Sequence, residues 1–212
     1  MKVIALNCSP RKNQNTVKLL NKALEGASEK GADTKLVHLY DQEFKGCTGC
    51  LSCKLTKNEK NPLCIMKDSI TELLKEMSEA DVLIFGSPIY FGDVTAYARA
   101  IIERFAYPYF QYSKDHNSKC ERTIKTAFIY NMNINEDGMK GRNYAHVFDT
   151  IKSYLERLFG HSEYMTACNT MPMKDFSMYT HDYFDVDSKK KSLEEQFPID
   201  LQKAYDMGAS LV

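Results

Sequence analysis

Short apolar runs alternate with amphipathic segments along most of this chain, and that alternation admits few folds. Lys2 to Cys8 (KVIALNC) is apolar, too short for a helix, and closed by Ser9-Pro10. Val17, Leu20, Leu24 and Ala27 then recur at helical spacing until Lys30-Gly31 ends the pattern. Asp33 to Leu39 alternates as a second strand. A strand, a helix and a strand by Tyr40 predict a parallel pair joined by a crossover.

The pattern continues. Ser69 and Glu72 have the spacing of a capping box, with Ile70, Leu73, Leu74 and Met77 as the apolar stripe behind it. Asp81 to Ser87 holds VLIFG, a third strand that Pro88 should end. A helix from Asp93 to about Phe105 would turn Ala96, Ala100, Ile101 and Phe105 inward. Ile124 to Tyr130 is a fourth strand, followed by a polar loop from Asn131 to Arg142. Val147, Ile151, Leu155 and Leu158 mark a helix stopped at Gly160, and Tyr164 to Cys168 a short fifth strand. A last helix from Ile199 to about Met207, with Pro198 in its first turn, would bury Leu201, Ala204 and Tyr205. The expectation is an α/β fold: a doubly wound, five-stranded parallel sheet with helices on both faces. It should form one domain over residues 1–212, with a cysteine-rich loop at 46–67 and an irregular C-terminal extension at 170–212. Such sheets bind ligands beyond the C-terminal ends of their strands. Three loops should therefore converge there: Cys8 to Thr16, Pro88 to Thr95, and Asn131 to Gly141.

Composition narrows the classes further. Of 212 residues 43% are hydrophobic, enough for a substantial core, and the formal net charge is zero. A neutral chain has no general attraction to nucleic acid or an anionic membrane. The start lacks the apolar stretch of a leader peptide, and no run approaches the ~20 apolar residues of a membrane span. A cytoplasmic protein is expected. Seven cysteines, an odd number in a chain of this size, argue against a secreted disulfide scaffold. Cys8 and Cys168, at strand ends, are expected to be buried small hydrophobes.

The first loop, CSPRKNQNT, suits a phosphate monoester. Ser9 and Thr16 offer hydroxyls, Arg11 a charged fork, Asn13 and Asn15 amides, and a following helix would add its first-turn N–H groups. The plain alternative is that Asn15 or Thr16 caps the helix while Arg11 and Lys12 face solvent. No GxGxxG follows the strand, and GxxxxGK[ST] is absent, so dinucleotide and triphosphate loops lack their fingerprints. A ligand with one terminal phosphate remains, and FMN is such a ligand.

From residue 2 to about 160 the chain resembles the NAD(P)H-dependent FMN reductase branch of the flavodoxin superfamily, and especially its iron-sulfur flavoproteins. The pieces, in order, are NCSPRKNQNT, CTGCLSC, ADVLIFGSPIYFGDVTAYARAIIERF and the loop after strand four. The resemblance implies the flavodoxin-like strand order 2-1-3-4-5. It implies that Ser9, Arg11, Asn13, Asn15 and Thr16 hold the FMN phosphate. Pro88, Ile89, Tyr90, Phe91 and Gly92 would run beside the ribityl chain and ring, and Asn131, Met132 and Asn133 would close the other side. Arg104 falls at a position assigned to scaffold or dimer contacts. The family's loop after strand four is often richer in glycine and threonine than the YNMNINEDGMKG found here.

Cys47, Cys50, Cys53 and Cys64 lie within 18 residues, spaced by two, two and ten. Four thiolates at compact spacing can hold a [4Fe–4S] cluster, although the last gap is longer than the ferredoxin run and Pro62 precedes rather than follows the fourth cysteine. Zinc, a reversible disulfide and unliganded thiols are the alternatives. Three lysines between Lys54 and Lys60 accompany them.

His116, His146, His161 and His181 have no partner at metal-ligand spacing, His38 lies in a strand, and no catalytic side chain is assigned. Positioning does most of the work when a flavin accepts hydride directly. The implied activity is FMN-dependent reduction of flavin, quinone or another small acceptor, with NAD(P)H as transient donor. An electron-transfer flavoprotein without direct NAD(P)H turnover and a non-enzymatic flavin-binding protein are the alternatives. The partner is a small-molecule acceptor or a redox protein. The aromatic segment Met173 to Asp185 suggests an interface, and hence a homodimer or higher homo-oligomer.

Overall fold

The computed structural model describes residues 1–58, 62–115 and 118–212. Lys60 and His116 lie outside the described residues. The strands are β1 (Lys2–Asn7), β2 (Asp33–His38), β3 (Val82–Tyr90), β4 (Asp93–Val94), β5 (Ile124–Asn131) and β6 (Gly160–Ala167). The helices are α1 (Asn15–Glu29), α2 (Thr71–Glu79), α3 (Ala96–Ala106), α4 (Glu136–Gly141), α5 (Ala145–Phe159), α6 (Val186–Lys191) and α7 (Phe197–Leu211). The parallel strands lie in the order β2-β1-β3-β5-β6, with β4 paired only to β3. Counting the parallel strands alone, this is the expected flavodoxin-like order.

Both faces of the sheet are buried, as parallel sheets require. Along β1, Ile4 and Leu6 enter one core, whereas Val3 and Ala5 enter the other. The same alternation separates Leu83 and Phe85 from Val82 and Ile84 on β3. The first core is covered by α2, α3 and α5 and is rich in aromatic stacking: Phe85, Phe128, Tyr130 and Phe148 form a continuous column. The second is thinner and covered by α1 and α7. These two helices approach so closely that a Cβ on Gly26 would strike the Tyr205 carbonyl, and one on Gly208 the Ala23 carbonyl.

Several boundaries differ from expectation, each for a local reason. Pro88 does not end β3; it pairs in register with Asn131, and the strand continues to Tyr90. The strand then reverses through Phe91-Gly92 into β4, so α3 begins only at Ala96, capped by the Thr95 side chain. Ala98 rather than Ala96 is therefore buried. Ser69 makes no capping box; its hydroxyl donates to the Glu43 carbonyl. The turn leading into α2 is held instead by Asp68, whose N–H donates to the Thr71 hydroxyl and whose carboxylate accepts the Ile70 N–H, and the helix begins at Thr71. The loop after β5 contains α4, capped by Asn135. Helical turns run from Val186 to Leu211, with a π-turn at Ser192–Gln196, so most of the C-terminal segment is regular. Among the described residues no helix is long and apolar enough to cross a membrane.

Candidate functional site

At the C-terminal edge of the sheet, polar side chains tie the strand-following loops to one another. The Asn7 amide braces the first turn: its Oδ1 accepts the Ser9 N–H at 3.1 Å and its Nδ2 donates to the Ser9 carbonyl at 3.1 Å. The Ser9 hydroxyl accepts the Arg11 N–H at 3.1 Å. The Thr95 hydroxyl donates to the Cys8 carbonyl at 2.7 Å, joining the loop after β3 to the loop after β1. The Thr16 hydroxyl donates to Asn131 Oδ1 at 2.6 Å, joining the start of α1 to the end of β5.

These loops line a cavity that opens to solvent. Ser9, Arg11, Asn15 and Thr16 line it from the first loop, Pro88, Ile89 and Tyr90 from the second, and Asn131, Met132 and Asn133 from the third. Ten of the thirteen residues named from sequence for this site therefore meet. Asn13, Phe91 and Gly92 lie outside the lining. Asn13 is exposed, and Phe91 and Gly92 form the tip of the β3–β4 hairpin. Both tip residues have positive φ, 52° and 83°, the pattern of a type I′ turn. For phenylalanine that conformation is strained, and its ring is fully exposed.

Gln14, Thr170 and Pro172 also line the cavity. The last two belong to a strap after β6. The Thr170 hydroxyl and N–H both donate to the Met132 carbonyl, at 3.0 and 2.9 Å. Asn15 Nδ2 donates to the Met171 carbonyl at 2.9 Å, and Arg11 donates to the Pro172 carbonyl. No sequence motif marks this strap. The rule that ligands gather beyond strand ends would have included it, since it directly follows the C-terminal end of β6.

The cavity's electrostatics favour an anion at one end. Gln14, at the N-cap of α1, makes no side-chain cap hydrogen bond, so it leaves the first-turn N–H groups of that helix without a side-chain cap. Arg11 is the charged residue in the lining. Behind the third loop, the buried Lys189 amine donates to the Asn133 carbonyl and to Asn169 Oδ1. Burial pulls its pKa down to about 8.

The cysteine loop forms a separate site. Cys47, Cys50, Cys53 and Cys64 all line one small cavity, together with Glu103, Arg104 and Tyr107. All seven cysteines are free thiols. Hydrogen bonds from Ser52 hold the Cys50 thiol below its ordinary pKa, whereas burial raises that of Cys53. Among the described residues no group of three or more His, Cys, Asp or Glu is arranged to hold a metal ion. Four thiols around one cavity are a donor set that a four-iron centre or a zinc ion could use. Cys8 is fully buried and its thiol is pushed strongly upward, as expected for an inert core residue, whereas Cys168 is only half-buried.

Comparison with known proteins agrees with this geometry. The family model for NADPH-dependent FMN reductase matches residues 1–122. An iron-sulfur flavoprotein of Methanocaldococcus jannaschii is 40% identical over 104 residues, covering 49% of this chain and 51% of its own length. One from Archaeoglobus fulgidus is 39% identical over 104 residues, 49% of this chain and 48% of its own. The chain thus spans about half the length of the curated relatives it matches. In fold it is similar to an NAD(P)H:quinone oxidoreductase from Methanothermobacter marburgensis, with a TM-score of 0.73 at 18% identity over 100% of this chain and 99% of that one. More than half of the chain matches one family model in sequence, and the sheet carries the strand order and the edge cavity that the resemblance implies: the chain belongs to the NADPH-dependent FMN reductase family.

Proposed function

We propose that the cavity holds FMN and that the protein is an NAD(P)H-dependent FMN oxidoreductase. The observation that carries this reading is the meeting of Ser9, Arg11, Asn15 and Thr16 with Ile89, Tyr90 and Met132 around one cavity. Hydroxyls, an amide and a guanidinium thus adjoin the more apolar Ile89, Tyr90 and Met132. The residues fit the cofactor: an uncapped helix N-terminus and a guanidinium suit a terminal phosphate. Backbone and amides at Pro88–Tyr90 and Asn131–Asn133 suit the polar edge of a ring system. Bound FMN would supply hydride acceptance and electron storage. The chain's share is to bind, to orient and to shield. Tyr90 lines the cavity yet stays 44% exposed, leaving an open side for a transient nicotinamide. No side chain is required as nucleophile or general base.

Cys47, Cys50, Cys53 and Cys64 would hold a [4Fe–4S] cluster, a reading supported by their shared cavity and by the iron-sulfur flavoproteins to which the chain is similar. A one-electron centre in the same protein as a two-electron cofactor suits a redox protein as partner as well as a quinone or free flavin. The exposed Met178, Tyr179 and Tyr183 favour a homo-oligomer.

The visible spectrum of anaerobically purified protein tests the cofactors together. Flavin bands with an added broad iron-sulfur absorbance are expected. Colourless protein that fails to take up FMN overturns the reading. Stopped-flow mixing with NADH and NADPH then tests the reaction: an electron carrier without direct turnover is indicated if neither reduces the bound flavin.

A further inference from the structure

Arg104, near the end of α3, is 1% exposed, and all of its donors are occupied. Nη1 donates to the Lys45 carbonyl at 2.9 Å and to Asp68 Oδ2 at 2.6 Å. Nη2 donates to the Met66 carbonyl at 3.1 Å and to Asp68 Oδ1 at 3.3 Å. Nε donates to Cys64 Sγ at 3.1 Å. A guanidinium has five N–H groups in a fixed fork, and here they meet five acceptors.

Those acceptors bracket the cysteine loop. Lys45 just precedes the loop, Cys64 and Met66 lie at its far end, and Asp68 just follows it. The neighbouring Glu103 takes the Cys47 N–H at 3.2 Å. Two adjacent residues of one helix thus hold both ends of the loop together at its neck. This answers the difficulty posed by the ten-residue gap before Cys64. Closing a longer loop costs little more entropy; what it lacks is direction, and a rigid fork supplies that. Asp68 balances the charge of Arg104, so the hydrogen bond to sulfur does not come with a buried unpaired cation.

On the reading that the cysteine cavity takes an iron-sulfur cluster, we propose that Arg104 is a positioning residue that presets Cys64 as the fourth ligand and tunes the cluster through its Nε–H···S hydrogen bond. Hydrogen bonds to cluster sulfurs stabilise the more negative, reduced state and raise the reduction potential.

The test is an EPR-monitored redox titration of the anaerobically reconstituted full chain, with iron content measured on the same samples. Arg104→Lys keeps the charge and loses the fork. Expected are lower iron occupancy and a one-electron reduction equilibrium about tenfold less favourable, about 59 mV lower. Asp68→Asn leaves the Arg104 charge uncompensated and should shift the potential the other way. Circular dichroism and FMN uptake report whether each variant is folded. Wild-type protein that takes up no iron overturns the cluster reading and this proposal with it, leaving the FMN site standing. A wild-type cluster whose iron content and potential are unchanged in folded Arg104→Lys overturns this proposal alone. If Arg104→Lys does not fold, Asp68→Asn decides: an upward shift upholds the proposal and an unchanged potential overturns it.

Discussion

The Thr16 hydroxyl donates to Asn131 Oδ1 at 2.6 Å, a buried hydrogen bond spanning 115 residues of chain. It locks the first turn of α1 to the end of β5, the two walls between which the cavity opens. Thr16 therefore acts as a strut, with its hydroxyl proton committed to protein rather than to a ligand. Thr16→Val should cost about 1–3 kcal/mol, because Asn131 loses a buried partner. Urea unfolding measures this, and FMN affinity should weaken in the same variant. A loss below about 0.5 kcal/mol would show that the bond is not formed in solution.

Arg11 supplies the charge in the cavity lining and reaches back to the Pro172 carbonyl. Arg11→Ala should weaken FMN roughly tenfold or more while leaving riboflavin nearly unchanged, since a charge-assisted phosphate bond is worth about 1.5–3 kcal/mol. Titrating apoprotein with both flavins by fluorescence quenching separates the outcomes; equal weakening places Arg11 away from the phosphate.

Lys189 gives a pH dependence of definite sign. Burial lowers its pKa to about 8 from an ordinary value of about 10.4, so between these limits the unfolded chain binds more protons than the folded one. Its contribution to stability is constant below pH 8 and rises with pH through that window, by at most about 1.4 kcal/mol per pH unit. The stability difference between wild type and Lys189→Met, from urea unfolding at pH 7.5, 9 and 10, should therefore move in favour of wild type as pH rises. A flat difference would mean that the amine titrates normally.

Phe91 holds a strained conformation at the hairpin tip, where Asn-Gly is the preferred pair. Phe91→Asn should stabilise the fold by about 1 kcal/mol. If the exposed ring helps seat the nicotinamide, the same substitution raises KM for NAD(P)H with little change in FMN affinity. Thermal unfolding and steady-state kinetics read the two effects independently.

Tyr130 is fully buried in the aromatic column, and among the described residues its hydroxyl has no partner. Tyr130→Phe keeps the stacking on Phe128 and Phe148 and removes an unsatisfied polar atom. It should be neutral or stabilising by up to about 1 kcal/mol. Marked destabilisation would show that the hydroxyl is satisfied in solution.

The sequence by itself determined the layers, because five apolar runs of strand length alternating with helical stripes bury their apolar faces in a parallel sheet covered by helices. It also named most of the cavity wall, since residues that follow parallel strands must emerge at one edge. Tertiary structure decided what no local pattern encodes. Pro88 stays within β3 through pairing opposite Asn131, a relation set by register across 43 residues. The α1–α7 contact depends on Gly26 and Gly208 removing Cβ atoms from a crossing that neither helix's own sequence reveals. The strap at Thr170–Pro172 reaches the cavity by hydrogen bonds to Met132, Asn15 and Arg11, partners distant in sequence. The cysteine spacing marked four candidate ligands, but only the fold shows the Arg104 fork meeting Lys45, Cys64, Met66 and Asp68, because those acceptors reach it from a loop distant in sequence.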